Sequence, residues 1–227
     1  MSEIFHILNR GVDKRKIFMD EKDHFRFIHD LFEFNDQAPA NTTFHIFRKY
    51  DVIARRKFEI AEKKPRKLLV EIHAFCLMPN HFHLLLTSKV ENGISKFVKK
   101  LDMGYARYFN ERYKRRGALF EGRYKSIPIQ NEPHFLHIPY YIHLNPLDLV
   151  CPEWRNCQLK DFEKAINFLE NYRWSSHLDY IGKKNFPSVT QREFLTECLG
   201  GPEEYERNLK QWLRSTNLED IRDVILE

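Results

Sequence analysis

The sequence predicts an α+β fold, and three observations support this prediction. Apolar runs typical of strands and patterns typical of helices follow one another in the order strand–helix–strand–strand–helix–strand–helix. The second and third strands are joined only by a turn at Pro79 and Asn80, and so short a connection requires antiparallel neighbours. Only helical patterns follow residue 151. We therefore expect a ferredoxin-like four-stranded antiparallel sheet with helices on one face, plus a helical C-terminal extension.

The first part of the chain supplies one strand and one helix of this fold. Residues 3–9 alternate loosely between apolar and polar types and predict the first strand. Asp20 is a suitable residue to begin the first helix. The apolar stripe predicted for this helix consists of Phe25, Phe27, Ile28, Leu31 and Phe32. Residues 35–68 are irregular and rich in charge, which indicates an exposed insert.

The remaining strands and helices follow the insert. Residues 68–77 and 81–87 are the apolar runs on either side of the turn. The second helix, which we expect Gly117 to end, has this buried stripe: Ile94, Phe97, Val98, Leu101, Tyr105, Tyr108 and Phe109. Residues 124–129 predict the fourth strand, and Asn131 is a suitable N-cap for the third helix. Helical patterns in the extension cover residues 162–169, 191–199 and 202–213.

Composition indicates a globular chain and hints at an anionic partner. Its 227 residues are 42% hydrophobic and 14% aromatic, which is enough to build a core. The net charge of +5 hints at an anionic partner. The four cysteines include no Cys-x-x-Cys pair, which argues against a zinc ribbon or a disulfide scaffold. We see neither a signal peptide nor an apolar run as long as a membrane span, so we expect a cytoplasmic protein with no membrane partner.

Two histidines at the start of the third predicted strand form the first candidate site. Side chains two apart in a strand point to the same face, so His81 and His83 should project side by side while Phe82 is buried opposite. Paired neutral imidazoles can bind a divalent metal, although a third ligand must come from elsewhere. The alternative is that both histidines simply lie on a half-solvated strand face.

The third predicted helix carries a tyrosine and an asparagine four residues apart, on one helical face. Tyr141 can act as a nucleophile if a metal polarises the phosphate that it attacks. Asn145 could offer its amide oxygen as the missing metal ligand. The alternative is that Tyr141 packs its ring and Asn145 is a polar helix end before Pro146. Tyr105, Tyr108 and Tyr113 are weaker candidate nucleophiles, because the first two fit the buried stripe of their helix.

Basic residues concentrate between the second helix and the fourth strand. Arginine and lysine alternate there with Tyr113, Phe120 and Tyr124, a pattern that suits a surface tracking phosphates and stacking bases. The alternative is a solvated helix end. The residues that we expect to bind DNA are Arg10, Arg112, Lys114, Arg115, Arg116, Arg123, Tyr124 and Lys125.

These motifs together resemble those of the REP-associated tyrosine transposases, a group of single-tyrosine HUH transposases. His81-Phe82-His83 is similar to the HUH motif, and residues 141–146 are similar to the tyrosine motif. The segments at residues 5–11, 117–126 and 172–176 support the resemblance, which covers about residues 1–181. It implies a transposase domain over residues 1–150, with residues 151–227 as the helical extension.

The resemblance also implies a function. Mg²⁺ or Mn²⁺ would be bound by His81 and His83, and Tyr141 would attack single-stranded DNA that forms a hairpin or palindrome. The expected product is a 5′-phosphotyrosine link and a free 3′-OH, formed by a monomer or a homodimer. Many relatives in the wider superfamily have Gln where this chain has Asn145, so the third metal ligand stays open. The alternative function is a non-catalytic nucleic-acid-binding protein that uses the same surface.

Overall fold

A computed structural model describes residues 3–39, 66–156, 158–215 and 218–226. Most of the insert predicted at residues 35–68 lies outside the described residues. Four strands form one sheet in the order β2-β3-β1-β4, and every neighbouring pair is antiparallel. The strands are β1 (Ile4–Arg10), β2 (Val70–Met78), β3 (His81–Ser88) and β4 (Lys125–Ile129). This strand order confirms the ferredoxin-like prediction.

Two helices cover one face of the sheet. They are α1 (Glu21–Glu33) and α2 (Gly93–Arg112). Asp20 caps α1 by accepting hydrogen bonds from the backbone N–H groups of Lys22 and Asp23. The predicted stripe of α1 is confirmed for its buried residues Phe27, Ile28 and Leu31. It is wrong for Phe25, which is 41% exposed because its ring packs on Trp174 at the surface.

The opposite face is covered by the third helix and the extension. The helices there are α3 (Glu132–Leu144), α4 (Phe162–Asn171), α5 (His177–Tyr180), α6 (Glu193–Cys198) and α7 (Gly201–Ser215). Three 3₁₀ segments lie between and after them: Asn145–Leu149, Pro152–Asn156 and Leu218–Val224. The helices that connect the strands thus share one face, as predicted, while α3 and the extension form a second hydrophobic core on the other.

The extension packs directly into that second core. Its buried residues Leu195, Tyr205 and Leu209 belong to the same cluster as Ile138 of α3 and Leu85 of β3. The division of the chain at residue 150 stays a prediction. Across the described ranges, no helix is both long enough and apolar enough to cross a membrane.

Candidate active site

The two imidazoles predicted from the His-x-His spacing lie side by side on β3. The ring centroids of His81 and His83 are 4.9 Å apart and the rings are nearly perpendicular. Both side chains are buried, with His83 fully so. Phe82 points to the opposite face, where its ring packs 4.9 Å from that of Phe27. The pair therefore faces α3 and the extension rather than the core beneath α1 and α2.

The register of the sheet places two cations on the face of the imidazoles. Arg10 of β1 is the direct partner of His81, and Leu8 is the direct partner of His83. Lys125 of β4 pairs with Leu8 on its other side. Directly paired residues point to the same face, and two strand spacings separate Lys125 from His83 by roughly 10 Å. Arg10 and the exposed Lys125 therefore flank the histidine pair.

A third histidine contacts the pair. His6 of β1 stacks on His83 with ring centroids 5.1 Å apart, and its Nε2 lies 2.9 Å from Nδ1 of His83. The Nδ1 atom of His6 lies 2.7 Å from the carbonyl oxygen of Val224, in the last 3₁₀ segment. On the other histidine, Nδ1 of His81 lies 2.7 Å from the side-chain oxygen of Asn80. Both imidazoles of the pair are thus held through their Nδ1 atoms.

Tyr141 of α3 packs against this histidine cluster. Its ring stands edge-on to His83 at 6.0 Å and to His6 at 6.2 Å. The side chain is fully buried, and its phenol oxygen accepts a hydrogen bond from Nη1 of Arg155 at 3.1 Å. The guanidinium lies 5.3 Å from the centre of the ring. The structure therefore brings the predicted tyrosine and the predicted histidines together.

Asn145 follows α3 and is held by two hydrogen bonds. Its side-chain N–H donates to the backbone oxygen of Tyr141 at 2.8 Å, and its side-chain oxygen accepts from Nη2 of Arg155 at 3.0 Å. Arg155 also forms an ion pair with Asp148 at 2.6 Å, and Trp154 donates to the same carboxylate. The role of Asn145 as a metal ligand stays a prediction, and in this arrangement its oxygen is engaged by Arg155.

The donor atoms at the histidine pair suit a divalent ion. Among the residues that the structure describes, no group of three or more His, Cys, Asp or Glu side chains could hold a metal. Two imidazoles can nevertheless bind Mg²⁺ or Mn²⁺ when amide, phosphate or water oxygens complete the coordination. The side chains of His81 and His83 fit such a site.

The segment between α2 and β4, residues 113–124, is here called the basic loop, and it is anchored beside the site. The backbone N–H of Glu121 donates to the carbonyl of Arg10 at 2.9 Å, and Phe120 pairs with Gly11. The predicted DNA-binding side chains that are exposed there and at the start of β4 are Lys114, Arg116, Arg123 and Lys125. Most of the predicted cations thus reach solvent near the strand end that carries His81.

The remaining predicted DNA-binding residues of this region have partners within the protein. Arg112 forms ion pairs with Asp20 and Asp23, both at 2.5 Å. Hydrogen bonding to Asp20 raises the pKa of Arg112 above its usual range and lowers that of Asp20. Arg115 donates to the side chain of Asn110, and Tyr124 shares a hydrogen bond with Ser95. Their DNA-binding roles stay predictions, and the charge of Arg112 is already balanced by carboxylates.

The less favoured sequence candidates have structural roles. Tyr105 is buried in the first core and donates to the carbonyl of Ile17, and Tyr113 donates to Asp23. His143 is fully buried, with Nδ1 2.6 Å from the hydroxyl of Tyr205 and Nε2 2.6 Å from that of Ser176. Burial holds the pKa of His143 well below its usual value. His143 therefore has a structural role in the second core.

Sequence reasoning missed His6 and Arg155. His6 lies on the same strand face as Leu8 and Arg10, so its position beside His83 follows once β1 is paired with β3. Arg155 lies in a short 3₁₀ segment with no periodic pattern. Its contact with Tyr141 depends on how the extension folds back, and no local signal reveals it.

The site therefore brings two histidines and one tyrosine together on one face of a ferredoxin-like sheet. Residues 43–145 match the model of the family described as Transposase IS200 like. This segment covers a little under half of the chain and includes His81, His83, Tyr141 and Asn145. The match confirms, over that segment, the resemblance to single-tyrosine transposases and supports a transposase-like function.

Among the solved structures that this chain resembles is one described as the REP-associated tyrosine transposase bound to a REP hairpin. The two chains are 13% identical, with a TM-score of 0.42, and the match covers 83% of this chain and 84% of the other. The comparison with curated proteins finds no match.

Proposed function

We propose that the protein is a metal-dependent endonuclease and strand transferase acting on single-stranded DNA. The observation that supports this function most directly is that the His81–His83 pair and Tyr141, which lie 58 positions or more apart in sequence, meet on one face of the sheet. A tyrosine beside two imidazoles that can bind a metal is suited to phosphoryl transfer to its hydroxyl.

The proposed reaction exchanges one phosphodiester for another. The phenol oxygen of Tyr141 loses its proton and forms a bond to phosphorus while the bond to the 3′ oxygen breaks. The leaving oxygen takes up a proton, so the products are a 5′-phosphotyrosine link and a free 3′-OH. Attack by a 3′-OH on this link reverses the exchange and rejoins DNA, which is strand transfer.

Each site residue has a distinct part in this proposal. Mg²⁺ or Mn²⁺ held by His81 and His83, with Asn145 as the proposed third ligand, would supply charge stabilisation at the phosphate. Arg155 donates to the phenol oxygen and stabilises negative charge that develops there. Because Tyr141 is fully buried, a phosphate can reach its hydroxyl only after side chains that cover it, Arg155 among them, have moved.

The substrate in this proposal is a single strand that carries a hairpin or palindrome. The exposed cations of the basic loop, with Arg10 and Lys125, would hold its phosphates beside the histidine pair. Whether the active form is a monomer or a homodimer stays part of the proposal.

The burial of Tyr141 favours a second candidate, a nucleic-acid-binding protein that does not cleave. In that case the hydrogen bond between Arg155 and Tyr141 is purely structural, and the basic loop alone carries function. The two candidates differ in one observable product, because only the enzyme leaves DNA attached to a tyrosine.

The decisive experiment looks for that covalent product. Labelled single-stranded DNA carrying a hairpin from the protein's own genomic flank is incubated with Mn²⁺ or Mg²⁺ and run on a denaturing gel. We expect an adduct that peptide mapping places on Tyr141 and that Tyr141→Phe abolishes, since this change deletes only the attacking oxygen. The variant loses the hydrogen bond from the charged Arg155 side chain, so its unfolding free energy should fall by about 1.5–3 kcal/mol.

Tyr140 provides a matched control on the same helix. Adjacent helical positions point about 100° apart, and Tyr140 packs on Tyr205 and Trp212 rather than on the histidines. Tyr140→Phe should therefore keep the adduct. An adduct on Tyr140 would show that the proposed nucleophile is wrong. Tight binding with no adduct on any hairpin would favour the non-cleaving protein.

A further inference from the structure

A chain of hydrogen bonds runs from the last 3₁₀ segment to the histidine pair. The carbonyl oxygen of Val224 lies 2.7 Å from Nδ1 of His6, and Nε2 of His6 lies 2.9 Å from Nδ1 of His83. All the ring atoms involved are buried, since His6 and His83 have no exposed surface. Buried polar groups at these distances hold each other in fixed orientations.

The chemistry at each end determines where the protons lie. A carbonyl oxygen only accepts hydrogen bonds, so Nδ1 of His6 carries a proton. In neutral His6 the Nε2 atom then has the lone pair and must accept, so Nδ1 of His83 carries the proton between them. His83 is thereby left with its lone pair on Nε2, the atom needed to bind a metal.

His81 is held in the same tautomer by a contact with its neighbour Asn80. The side-chain N–H of Asn80 donates to the carbonyl of Lys14 at 3.2 Å, which turns the Asn80 oxygen toward Nδ1 of His81. Nδ1 of His81 therefore donates, and its lone pair is also on Nε2. The two imidazoles are set in the same tautomer by two unrelated contacts.

We propose that His6 is a positioning residue that holds His83 in its metal-binding tautomer, with the Val224 carbonyl as the fixed end of the relay. The inference rests on the proposed function, because it assumes that His83 binds a metal. His6 is hydrogen-bonded to the proposed metal ligand His83 and does not itself bind the metal. Loss of such a partner typically lowers metal affinity 10- to 100-fold.

The test compares two substitutions of His6 by their affinity for Mn²⁺, measured by titration without DNA. His6→Phe keeps the ring shape and removes both hydrogen bonds, so we expect Mn²⁺ affinity to fall by roughly 10-fold or more. His6→Gln can donate to Val224 through its amide N–H and accept from His83 through its amide oxygen. It should keep most of the affinity lost in His6→Phe.

His73 is a matched control elsewhere in the sheet. It is a buried histidine of β2, with Nε2 2.7 Å from the hydroxyl of Thr87 and Nδ1 3.3 Å from the carbonyl of Gln191 in the extension. His73→Phe therefore removes a comparable pair of contacts without touching His83. It should destabilise the fold while leaving Mn²⁺ affinity unchanged, which separates a positioning effect from general loss of stability.

A second measurement needs neither metal nor a variant. Long-range ¹H–¹⁵N correlation spectra of the metal-free wild-type protein should show His83 protonated at Nδ1 and unprotonated at Nε2. The opposite tautomer would overturn the inference, as would equal Mn²⁺ affinity in His6→Phe and wild type. If the wild-type protein binds no Mn²⁺, the proposed metal site itself is wrong, which is a distinct result.

Discussion

The basic loop offers the most direct test of where DNA binds. Lys114, Arg116 and Arg123 are exposed, and within the described part of the chain none of them forms an ion pair. Their loop is fixed beside Arg10 by the hydrogen bond from Glu121. Replacing the three cations together by Ala should therefore remove phosphate contacts and leave the fold intact, since no buried partner loses a bond.

The size of the effect follows from counterion release. Each phosphate contact to a single strand contributes about 0.7 to the slope of log affinity against log salt, so three contacts contribute about 2. If affinities at 1 M salt are equal, a slope lower by about 2 corresponds to roughly 50-fold weaker binding at about 0.15 M. The loss should be similar for different sequences, because phosphates carry no base information.

The assay is fluorescence anisotropy of a labelled hairpin strand between about 0.05 and 0.4 M NaCl. A control variant with Lys160, Lys164 and Lys184 replaced by Ala removes the same charge from exposed positions in the extension. Its slope should stay close to that of the wild type. An unchanged slope in the loop variant, or an equal decrease in both variants, would place the DNA path elsewhere.

The remaining predictions concern the metal site and the pH dependence of stability. His81→Ala or His83→Ala should abolish cleavage but leave strand binding in EDTA largely intact, and full cleavage by either variant would exclude the proposed site. Burial raises the pKa of Asp102 to about 7, against a hydrogen bond from Asn9 that lowers it. The folded protein therefore holds a proton that the unfolded chain releases near pH 4, so stability should fall as pH rises from about 4 to above 7. The loss is at most about 4 kcal/mol for a shift of about 3 pKa units. Asp102→Asn should remove this contribution, measured as the difference between urea unfolding at pH 5 and at pH 8, and an identical pH profile in both proteins would refute this assignment.

Local signals account for the parts of the fold that were predicted from sequence. The turn at Pro79 and Asn80 forces the hairpin, and Asp20 and Asn131 cap their helices as expected. The end of α2 was predicted at Gly117 but lies at Arg112, because Lys114 adopts a left-handed backbone with φ of 53°. Arg112 and Tyr113 both contact the carboxylate of Asp23 in α1, and these contacts hold the chain there. Tertiary contacts of this kind cannot be predicted from the local sequence.

The candidate site likewise contains residues that local spacing predicts and residues that only the tertiary structure reveals. His81 with His83, and Tyr141 with Asn145, are each set by spacing within one element, so sequence alone predicts them as pairs. The meeting of the two pairs depends on α3 packing across the sheet, and the resemblance to a known family supplied that expectation. Arg155 and His6 depend on the folding of the extension and on strand register, so they emerge only from the three-dimensional structure.

The contact between His6 and Val224 also bears on the order in which the protein assembles. The two residues are 218 positions apart. At a synthesis rate of 5–20 residues per second, the ribosome needs roughly 10 to 40 s to make the second after the first. During that interval β1 and β3 can pair, yet His6 has no carbonyl to hold it. The histidine cluster of a nascent chain is therefore incomplete until almost all of the described sequence has been made, so this site is among the last parts of the molecule to reach its final form.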